Sequence, residues 1–212
     1  LVPIRLDLDA DGYRLRDTFT WDMNNELIST DRFARSLCID VGLPQELFVP
    51  MIVQAIEEQT DDFRQYGYAA ETSDRLRVVI RIDVLVGHIA LRDQFEWDIA
   101  PLLRPLQVAS VLCAEKGLGG EFETAITHSI REQLYAFVKS FLLAGYTYRP
   151  RLVPKSALGS SILPPVKSAL RDSSIAQTFE PLIVQLHTVD VERLEKDTDR
   201  DTRRKRRQGR GR

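Results

Sequence analysis

The feature that most constrains this chain is a motif that occurs twice. Residues 15–22 read LRDTFTWD and residues 91–98 read LRDQFEWD. Further matches keep the same order: IRLDL at residues 4–8 with IRIDV at residues 80–84, Leu37-Cys38 with Leu112-Cys113, Gly42-Leu43 with Gly117-Leu118, and residues 56–59 with residues 130–133. Self-similarity over such a length predicts two copies of one supersecondary unit.

Each copy shows the periodicities of two strands followed by two helices. In the first copy, apolar residues alternate with polar ones over residues 4–8, which is typical of a half-buried strand. Asp11-Gly12 predicts a tight turn into a returning strand. We expect Thr30 to cap a first helix and Gly42 to end it. A second helix with one apolar face follows.

The second copy has the same order, with Gly87 at its turn and a longer second helix over residues 122–141. A two-stranded hairpin is barely stable alone, so we expect each helix pair to cover one face of its hairpin. The predicted fold is α+β, with two tandem β-β-α-α repeats followed by an extended segment and a basic C-terminal helix. The predicted boundaries are residues 1–60 for the first repeat, 61–75 for a linker, 76–145 for the second repeat, 146–188 for an extended docking segment, and 189–212 for the basic helix and tail.

Composition narrows the class of protein. The longest apolar runs are far too short to span a bilayer, so no membrane partner is expected. Two cysteines do not form a disulfide framework, and both lie in apolar helical patterns, which favours a reducing compartment. The chain begins at Leu1 rather than Met, and we expect it to be part of a longer protein.

Signals for catalysis or cofactor binding are weak. The three histidines lack Cys, Asp or Glu at the spacing of a metal site, so we interpret them as ordinary surface or core residues. The glycine-rich residues 117–120 lack the lysine of a phosphate-binding loop and are better explained by a tight helix connection. Cys38 and Cys113 occupy equivalent repeat positions, which favours packing over redox chemistry. We predict no enzymatic activity, no cofactor and no metal.

Two pairs of equivalent residues allow more than one interpretation. Trp21 and Trp97 end the two hairpins and are either core residues or partner anchors, of which the core role is favoured by the shared period. Asp17 and Asp93, beside arginines, belong either to a binding motif or to local backbone hydrogen bonding.

The strongest functional signal is the basic C-terminal segment. Residues 200–212 hold seven arginines, one lysine and one aspartate, although the whole chain has a net charge of −2. An acidic body therefore carries a basic tail, which indicates an electrostatic role. At helical spacing the basic residues form one stripe with few apolar neighbours: Arg193, Lys196, Arg200, Arg203, Arg204 and Arg207, with Arg206 beside them.

Three interpretations of this stripe are open. It is a nuclear-import signal, which needs only accessible basic residues. It is an arm that holds nucleic-acid phosphates, in which case binding is sensitive to salt and blind to sequence. It is a set of arginines for a carboxylate-lined protein surface, where guanidinium groups pair bidentately. The excess of arginine over lysine mildly favours the third.

The order of these motifs resembles the SNF-five / INI-one (SMARCB) family of core subunits of SWI/SNF and RSC chromatin remodellers. The resemblance is carried by LVPIRLD at residues 1–7, by the paired LRD-x-F-x-WD motifs, by GLGGEF at residues 117–122 and by DRDTRR at residues 199–204. It covers nearly the whole chain and implies a fold of two β-β-α-α repeats. The tail at residues 209–212 does not match a hallmark of the family.

The resemblance also implies a function. It implies a nuclear, non-catalytic scaffold subunit whose repeats bind SWIRM domains of scaffold subunits, while a separate ATPase subunit supplies the motor. It further implies that the basic helix contacts the acidic patch of the histone octamer through Arg200, Arg203, Arg204, Arg206 and Arg207, with Arg193 and Lys196 extending the contact. The alternative is a nucleic-acid-binding adaptor whose tail holds DNA phosphates, and weak DNA contact is expected in either case. Sequence does not distinguish SWI/SNF from RSC, nor does it identify the repeat faces that bind partners.

Overall fold

The fold is α+β, as predicted, with two small antiparallel sheets and a set of helices. The computed structural model describes residues 1–66, 76–99, 104–144, 162–163, 170–194, 196–197 and 200 of the chain. Its elements are β1 (Val2–Ala10), β2 (Tyr13–Trp21), α1 (Thr30–Val41), α2 (Gln45–Tyr66), β3 (Arg77–Val86), β4 (Ile89–Asp98), α3 (Pro105–Lys116), α4 (Gly120–Leu143), α5 (Ser173–Ala176), a 3-10 turn (Gln177–Phe179) and β5 (Leu182–Gln185).

The first hairpin joins β1 and β2 in continuous antiparallel register from Val2↔Trp21 to Ala10↔Tyr13. Its turn is the predicted Asp11-Gly12, and both residues have positive φ, 48° and 80°. This backbone twist matches that of the flanking strands, and only residues such as Asp, Asn and Gly adopt it readily. Alternate residues of β1 are buried, as the sequence pattern predicted.

The helices end where the glycines predicted. Gly42 ends α1 with φ 71°, and Gly117 ends α3 with φ 66°. In both cases the glycine N–H binds a carbonyl of the last turn, that of Cys38 or Cys113. The predicted cap of α1 was wrong by one residue, because the side chain of Ser29 rather than Thr30 accepts the free N–H of Arg32.

The second sheet has the strand order β3-β4-β5. Leu182 to Gln185 pair antiparallel with Ile89 to Arg92, so β5 covers an edge of β4. The extended docking segment predicted over residues 146–188 is described only from residue 170 onward and at residues 162–163. Its described part is not extended throughout, since α5 and the 3-10 turn precede β5.

The core of the first hairpin lies against α1 and α2. Its buried side chains are Val2, Ile4, Leu6, Leu15, Ala34, Cys38, Phe48, Val49, Ile52 and Ile56. The later elements bury a similar set of apolar residues, including Val78, Ile80, Ala109, Cys113, Phe122, Ile126 and Ile130. Burial of this apolar surface is the main favourable term in folding.

Helix α2 continues to Tyr66, so residues 61–66 of the predicted linker 61–75 are helical, and residues 67–75 lie outside the described part of the chain. The physical cause is a long-range contact. The Asp62 carboxylate accepts hydrogen bonds from the Tyr135 hydroxyl at 2.6 Å and from the Lys139 ammonium at 2.6 Å and 2.7 Å, and Phe63 packs against the Tyr135 ring at 5.1 Å. These contacts with α4 hold the last turns of α2 in place, although residues 61–66 have little apolar periodicity.

The chain divides into two compact units. One consists of Leu1–Ile80 and Phe95–Leu170, and it contains the first hairpin and helices α1 to α4. The other consists of Arg81–Gln94 and Arg171–Arg212, and it contains the turn between β3 and β4, strand β5 and the start of the basic segment.

Candidate interaction surfaces

The basic segment begins directly after β5, which is hydrogen-bonded to β4 in the second unit. The last backbone hydrogen bond of the β4–β5 pairing runs from the Leu186 N–H to the His88 carbonyl at 2.7 Å. Helical residues begin at position 188, and the His187 carbonyl accepts the N–H groups of Asp190 and Val191. Because the sheet holds Leu186, two residues before the helix, the start of the basic segment is anchored to the sheet.

The three basic side chains described in this segment are all exposed. Arg193, Lys196 and Arg200 are spaced by three and four residues, which places them on one side of a helix. Lys196 pairs with Glu192 at 3.5 Å and Arg200 pairs with Asp197 at 3.3 Å. Such exposed pairs contribute little to stability, so these cations can exchange their local partners for another anion at small cost.

The other predicted basic residues lie outside the described part of the chain. These are Arg203, Arg204, Arg206 and Arg207. The predicted helix over residues 189–212 is described as helical only at residues 188–194, 196–197 and 200.

Exposed apolar side chains occur on both α1 and α3. On α1, Ile39 and Val41 are exposed, while Ala34 and Cys38 face the core. On α3, Leu106 is 48% exposed and Val111 is 56% exposed. Helix α3 carries no charged residue from position 105 to position 114, and its two charged residues, Glu115 and Lys116, lie in its last turn. Sequence periodicity missed this surface, and the absence of charge was the signal that could have found it.

The structure distinguishes the two interpretations of the paired aromatic residues. Trp21 packs edge-on against Phe33 of α1, with ring centroids 5.3 Å apart, and belongs to the rim of the first core. Trp97 is buried. The core role favoured by the sequence is therefore confirmed.

The paired aspartates serve the local backbone. Asp17 accepts the N–H of Thr18 at 2.7 Å, and Asp93 accepts the N–H of Gln94 at 2.7 Å. The two copies of the LRD motif thus make the same hydrogen bond within β2 and β4. This matches the backbone role considered for them, although each bond lies within a strand rather than at the turn into a helix.

The histidines and cysteines do not assemble into a catalytic or metal-binding cluster in the described part of the chain. His128 is buried and its Nε2 donates to the Ile4 carbonyl at 2.9 Å, whereas His88 and His187 are exposed. Burial raises the pKa of both Cys38 and Cys113, which keeps these thiols protonated and unreactive. Among the described residues, no three His, Cys, Asp or Glu side chains are grouped to hold a metal ion.

The contacts of β1 with α2 and α4 were also missed by sequence reasoning. Arg5 of β1 forms a bidentate pair with Glu132, both hydrogen bonds being 2.7 Å long. The side chain of Gln59 bonds both the N–H and the carbonyl of Arg5 at 3.0 Å. These bonds join residues that are 54 and 127 positions apart, so no local pattern in the sequence indicates them.

Comparison with known families decides the classification. The sequence model of the family described as SNF5 / SMARCB1 / INI1 matches residues 1–203. The chain belongs to this SNF5 family.

Individual relatives agree with that classification. The SNF5-family chain is 37% identical to the SWI/SNF chromatin-remodeling complex subunit snf5 of Schizosaccharomyces pombe, with 99% of the chain and 39% of the relative aligned. It is 40% identical to the SWI/SNF chromatin-remodeling complex subunit SNF5 of Saccharomyces cerevisiae, with 99% and 25% aligned. It is 31% identical to the chromatin structure-remodeling complex protein BSH of Arabidopsis thaliana, with 96% and 91% aligned.

Membership places this SNF5-family chain among nuclear proteins of chromatin remodelling. The chain spans about two-fifths and one-quarter of the length of the two yeast relatives. None of the helices in the described ranges is long and apolar enough to cross a membrane.

Proposed function

We propose that this chain is a non-catalytic core subunit of an ATP-dependent chromatin remodeller that anchors the complex to the nucleosome through its basic C-terminal helix. The observation that carries this proposal is the exposed basic face of Arg193, Lys196 and Arg200, which follows directly from a strand held in the second sheet. A separate ATPase subunit supplies the motor. This role agrees with the names of the relatives, which are subunits of chromatin-remodelling complexes.

The proposed target is the acidic patch of the histone octamer. We propose that the basic helix continues beyond the described residues, with Arg203, Arg204 and Arg207 on the same stripe and Arg206 beside it. A guanidinium group presents a planar fork of donors that matches a carboxylate, whereas an ammonium group acts as a point charge. The arginine excess in residues 200–212 therefore fits carboxylates on a protein better than it fits a simple need for positive charge.

The anchoring of the segment strengthens this proposal. A helix that starts two residues after the last sheet hydrogen bond has a restricted direction, and less conformational entropy is lost when it binds. A phosphate-binding arm gains little from such preorganisation because the charge density along DNA is nearly uniform.

The test asks whether binding depends on the planar geometry of the guanidinium group or only on its positive charge. Replacement of both Arg200 and Arg204 by Lys keeps the charge and removes the forks, so binding to nucleosomes should weaken by on the order of 2 kcal/mol. The matched control replaces Arg32 and Arg35 on α1 by Lys. Binding is measured with normal nucleosomes, nucleosomes whose acidic patch is neutralised, and free DNA.

The results separate the two leading functions. If the histone patch is the target, neutralising it removes most of the binding and leaves a weak DNA affinity that disappears as salt is raised. Equal binding to both kinds of nucleosome would reject this proposal and support the adaptor whose tail holds DNA phosphates.

We further propose that the two copies of β-β-α-α are structurally equivalent repeats that bind SWIRM domains of scaffold subunits. Support comes from the shared element order, from the equivalent glycine caps at Gly42 and Gly117, and from the equivalent aspartate bonds in β2 and β4. We assign docking to the outer side of α3, where Leu106 and Val111 are both about half exposed.

A single charge on that face tests the assignment. Val111→Asp should reduce SWIRM binding by at least about tenfold, because a carboxylate would lose its hydration in the interface. Leu27→Asp is the matched control, since Leu27 is 84% exposed on the loop after β2. Calorimetric titration that finds equal affinity for both variants and the parent chain would contradict the α3 assignment.

A further inference from the structure

The first part of the basic segment carries more negative than positive charge. Residues 188–201 hold six acidic and three basic residues, a net charge of −3, whereas residues 202–212 hold seven basic residues and no acidic one. The three cations described in the segment, Arg193, Lys196 and Arg200, all lie in the acidic part. A segment that served only to supply positive charge would not need these carboxylates, so their position requires an explanation.

Two of the acidic side chains bind those cations. The Glu192 Oε2 atom lies 3.5 Å from the Lys196 Nζ atom, and the Asp197 Oδ1 atom lies 3.3 Å from the Arg200 Nη1 atom. All four side chains are more than half exposed. Because exposed ion pairs contribute little to stability, holding the fold together does not explain these two pairs.

The two carboxylates flank the row of cations. At about 100° per residue, Glu192 lies on one side of the line through Arg193, Lys196 and Arg200, and Asp197 lies on the other. Side chains three or four residues apart on a helix are separated by about 5–6 Å, which is less than the screening length of about 8 Å at physiological ionic strength. The carboxylates therefore lower the positive potential that an approaching anion meets.

This reduction affects the two possible anionic targets differently. Affinity for DNA depends on how many phosphates the segment neutralises, so each carboxylate beside a cation reduces it. A carboxylate on a protein instead binds a guanidinium group through two short, parallel hydrogen bonds, and that contact depends on local geometry as well as on charge. Specificity is a difference between two affinities, and weaker binding of the wrong target increases it.

We propose that Glu192 and Asp197 are specificity determinants of the basic segment, which keep its affinity for DNA phosphates low and so favour a carboxylate-bearing protein surface. This inference rests on the proposed contact with the histone octamer and adds to it the residues that discriminate against DNA. The simpler alternative is that both pairs only support the helix, as pairs at this spacing do. That alternative predicts no gain in DNA affinity when the carboxylates are removed.

The test removes both charges from the whole chain and keeps the size of the side chains. Glu192→Gln combined with Asp197→Asn is titrated with a fluorescent DNA duplex between roughly 50 mM and 200 mM salt. The variant should bind DNA about tenfold more tightly at the lowest salt concentration, because two more cations reach phosphates. For the same reason the plot of log affinity against log salt concentration should become steeper by up to about 2.

The matched control removes the same charge from similar pairs elsewhere. Asp31→Asn combined with Asp61→Asn breaks the exposed pairs with Arg35 and Arg64, which lie within α1 and α2. Its DNA affinity and salt dependence should equal those of the parent chain. An equal gain in the control would show that total charge, rather than the position of Glu192 and Asp197, sets DNA binding, and would overturn the proposal.

Two further measurements complete the test. DNA affinity of the Glu192 and Asp197 variant that is equal to or below that of the parent would also overturn the proposal. Titration with normal nucleosomes should show that the variant has a smaller preference for nucleosomes over free DNA than the parent has, and an unchanged preference would contradict the assignment. If the parent bound normal nucleosomes and those with a neutralised acidic patch equally, the proposed histone contact would fail, whereas the DNA titrations would still decide whether these carboxylates limit phosphate binding.

Discussion

The hydroxyl of Tyr135 in α4 donates to the carboxylate of Asp62 in α2 over 2.6 Å. This bond joins α2 to α4. Lys139 binds the same carboxylate, and these two hydrogen bonds lower the pKa of Asp62. The carboxylate of Asp62 is thus a link between α2 and α4.

We predict that Tyr135→Phe lowers the free energy of unfolding by about 1–2 kcal/mol, because it removes a hydrogen bond to a charged group and keeps the ring that packs against Phe63. Urea denaturation measures the change. Tyr13→Phe is the control, since Tyr13 is about half exposed at the hairpin turn. Equal stability of the two variants would show that the hydrogen bond from Tyr135 to Asp62 contributes nothing to the free energy of unfolding.

A second prediction concerns pH and rests on His128. Burial, aided by Arg5 and Arg131, lowers the pKa of His128 below its ordinary value of 6.5, although the Ile4 carbonyl and Glu132 act in the opposite direction. The folded chain therefore holds this imidazole neutral, and the unfolded chain takes up a proton more readily. Above pH 6.5 the imidazole is neutral in both states, and His128 takes nothing from the free energy of unfolding. That free energy decreases as the pH falls from 6.5 through the lower pKa of the folded state.

The measurement is urea denaturation between pH 7.5 and pH 5 in the parent chain and in His128→Gln. The parent should lose stability over this range more steeply than the variant, with an excess slope of at most about 1.4 kcal/mol per pH unit for one proton. His187→Gln, at an exposed position, should keep the slope of the parent. If His128→Gln followed the parent curve, the buried imidazole would not be the titrating group.

A third prediction tests the equivalence of the glycine caps. Gly42→Ala and Gly117→Ala should each reduce stability by about 1 kcal/mol, because their φ angles of 71° and 66° are strained for a residue with a side chain. Gly120→Ala provides a control of opposite sign, since this residue is helical with free space around it. It should stabilise the chain by roughly 0.5 kcal/mol. If urea denaturation showed that Gly42→Ala and Gly117→Ala change the free energy of unfolding by different amounts, the two helix ends would not be equivalent.

A fourth prediction links the second sheet to the proposed nucleosome contact. Val184→Pro removes a donor from β5 where it pairs with Ala90 and should release the basic segment from the sheet without changing its charge. Nucleosome affinity should fall several-fold, because the released segment loses more conformational entropy when it binds. Val189→Pro is the control, because it lies in the first helical turn, where proline is tolerated. Equal nucleosome affinities of Val184→Pro and the parent chain in a fluorescence titration would indicate that the pairing of β5 with β4 does not help the basic segment to bind.

Much of the local structure was determined by the sequence itself. The Asp11-Gly12 turn, the burial pattern of β1 and the ends of α1 and α3 at glycine depend on conformational preferences within a few residues, and the structure confirms them. The basic stripe was also visible at this level, because charge and helical spacing are local properties. The one-residue error at the cap of α1 has a local cause too, since Ser29 and Thr30 are both good capping residues.

Tertiary structure decided the features that depend on distant partners. The continuation of α2 to Tyr66 needs Tyr135 and Lys139, and the anchoring of the basic segment needs the pairing of β5 with β4. The bidentate pair of Arg5 with Glu132 joins β1 to a residue 127 positions later in the chain. Periodicity indicates which face of an element is apolar, but the energy that selects one packed arrangement comes from contacts between residues separated by tens of positions, and these form only when the whole unit folds.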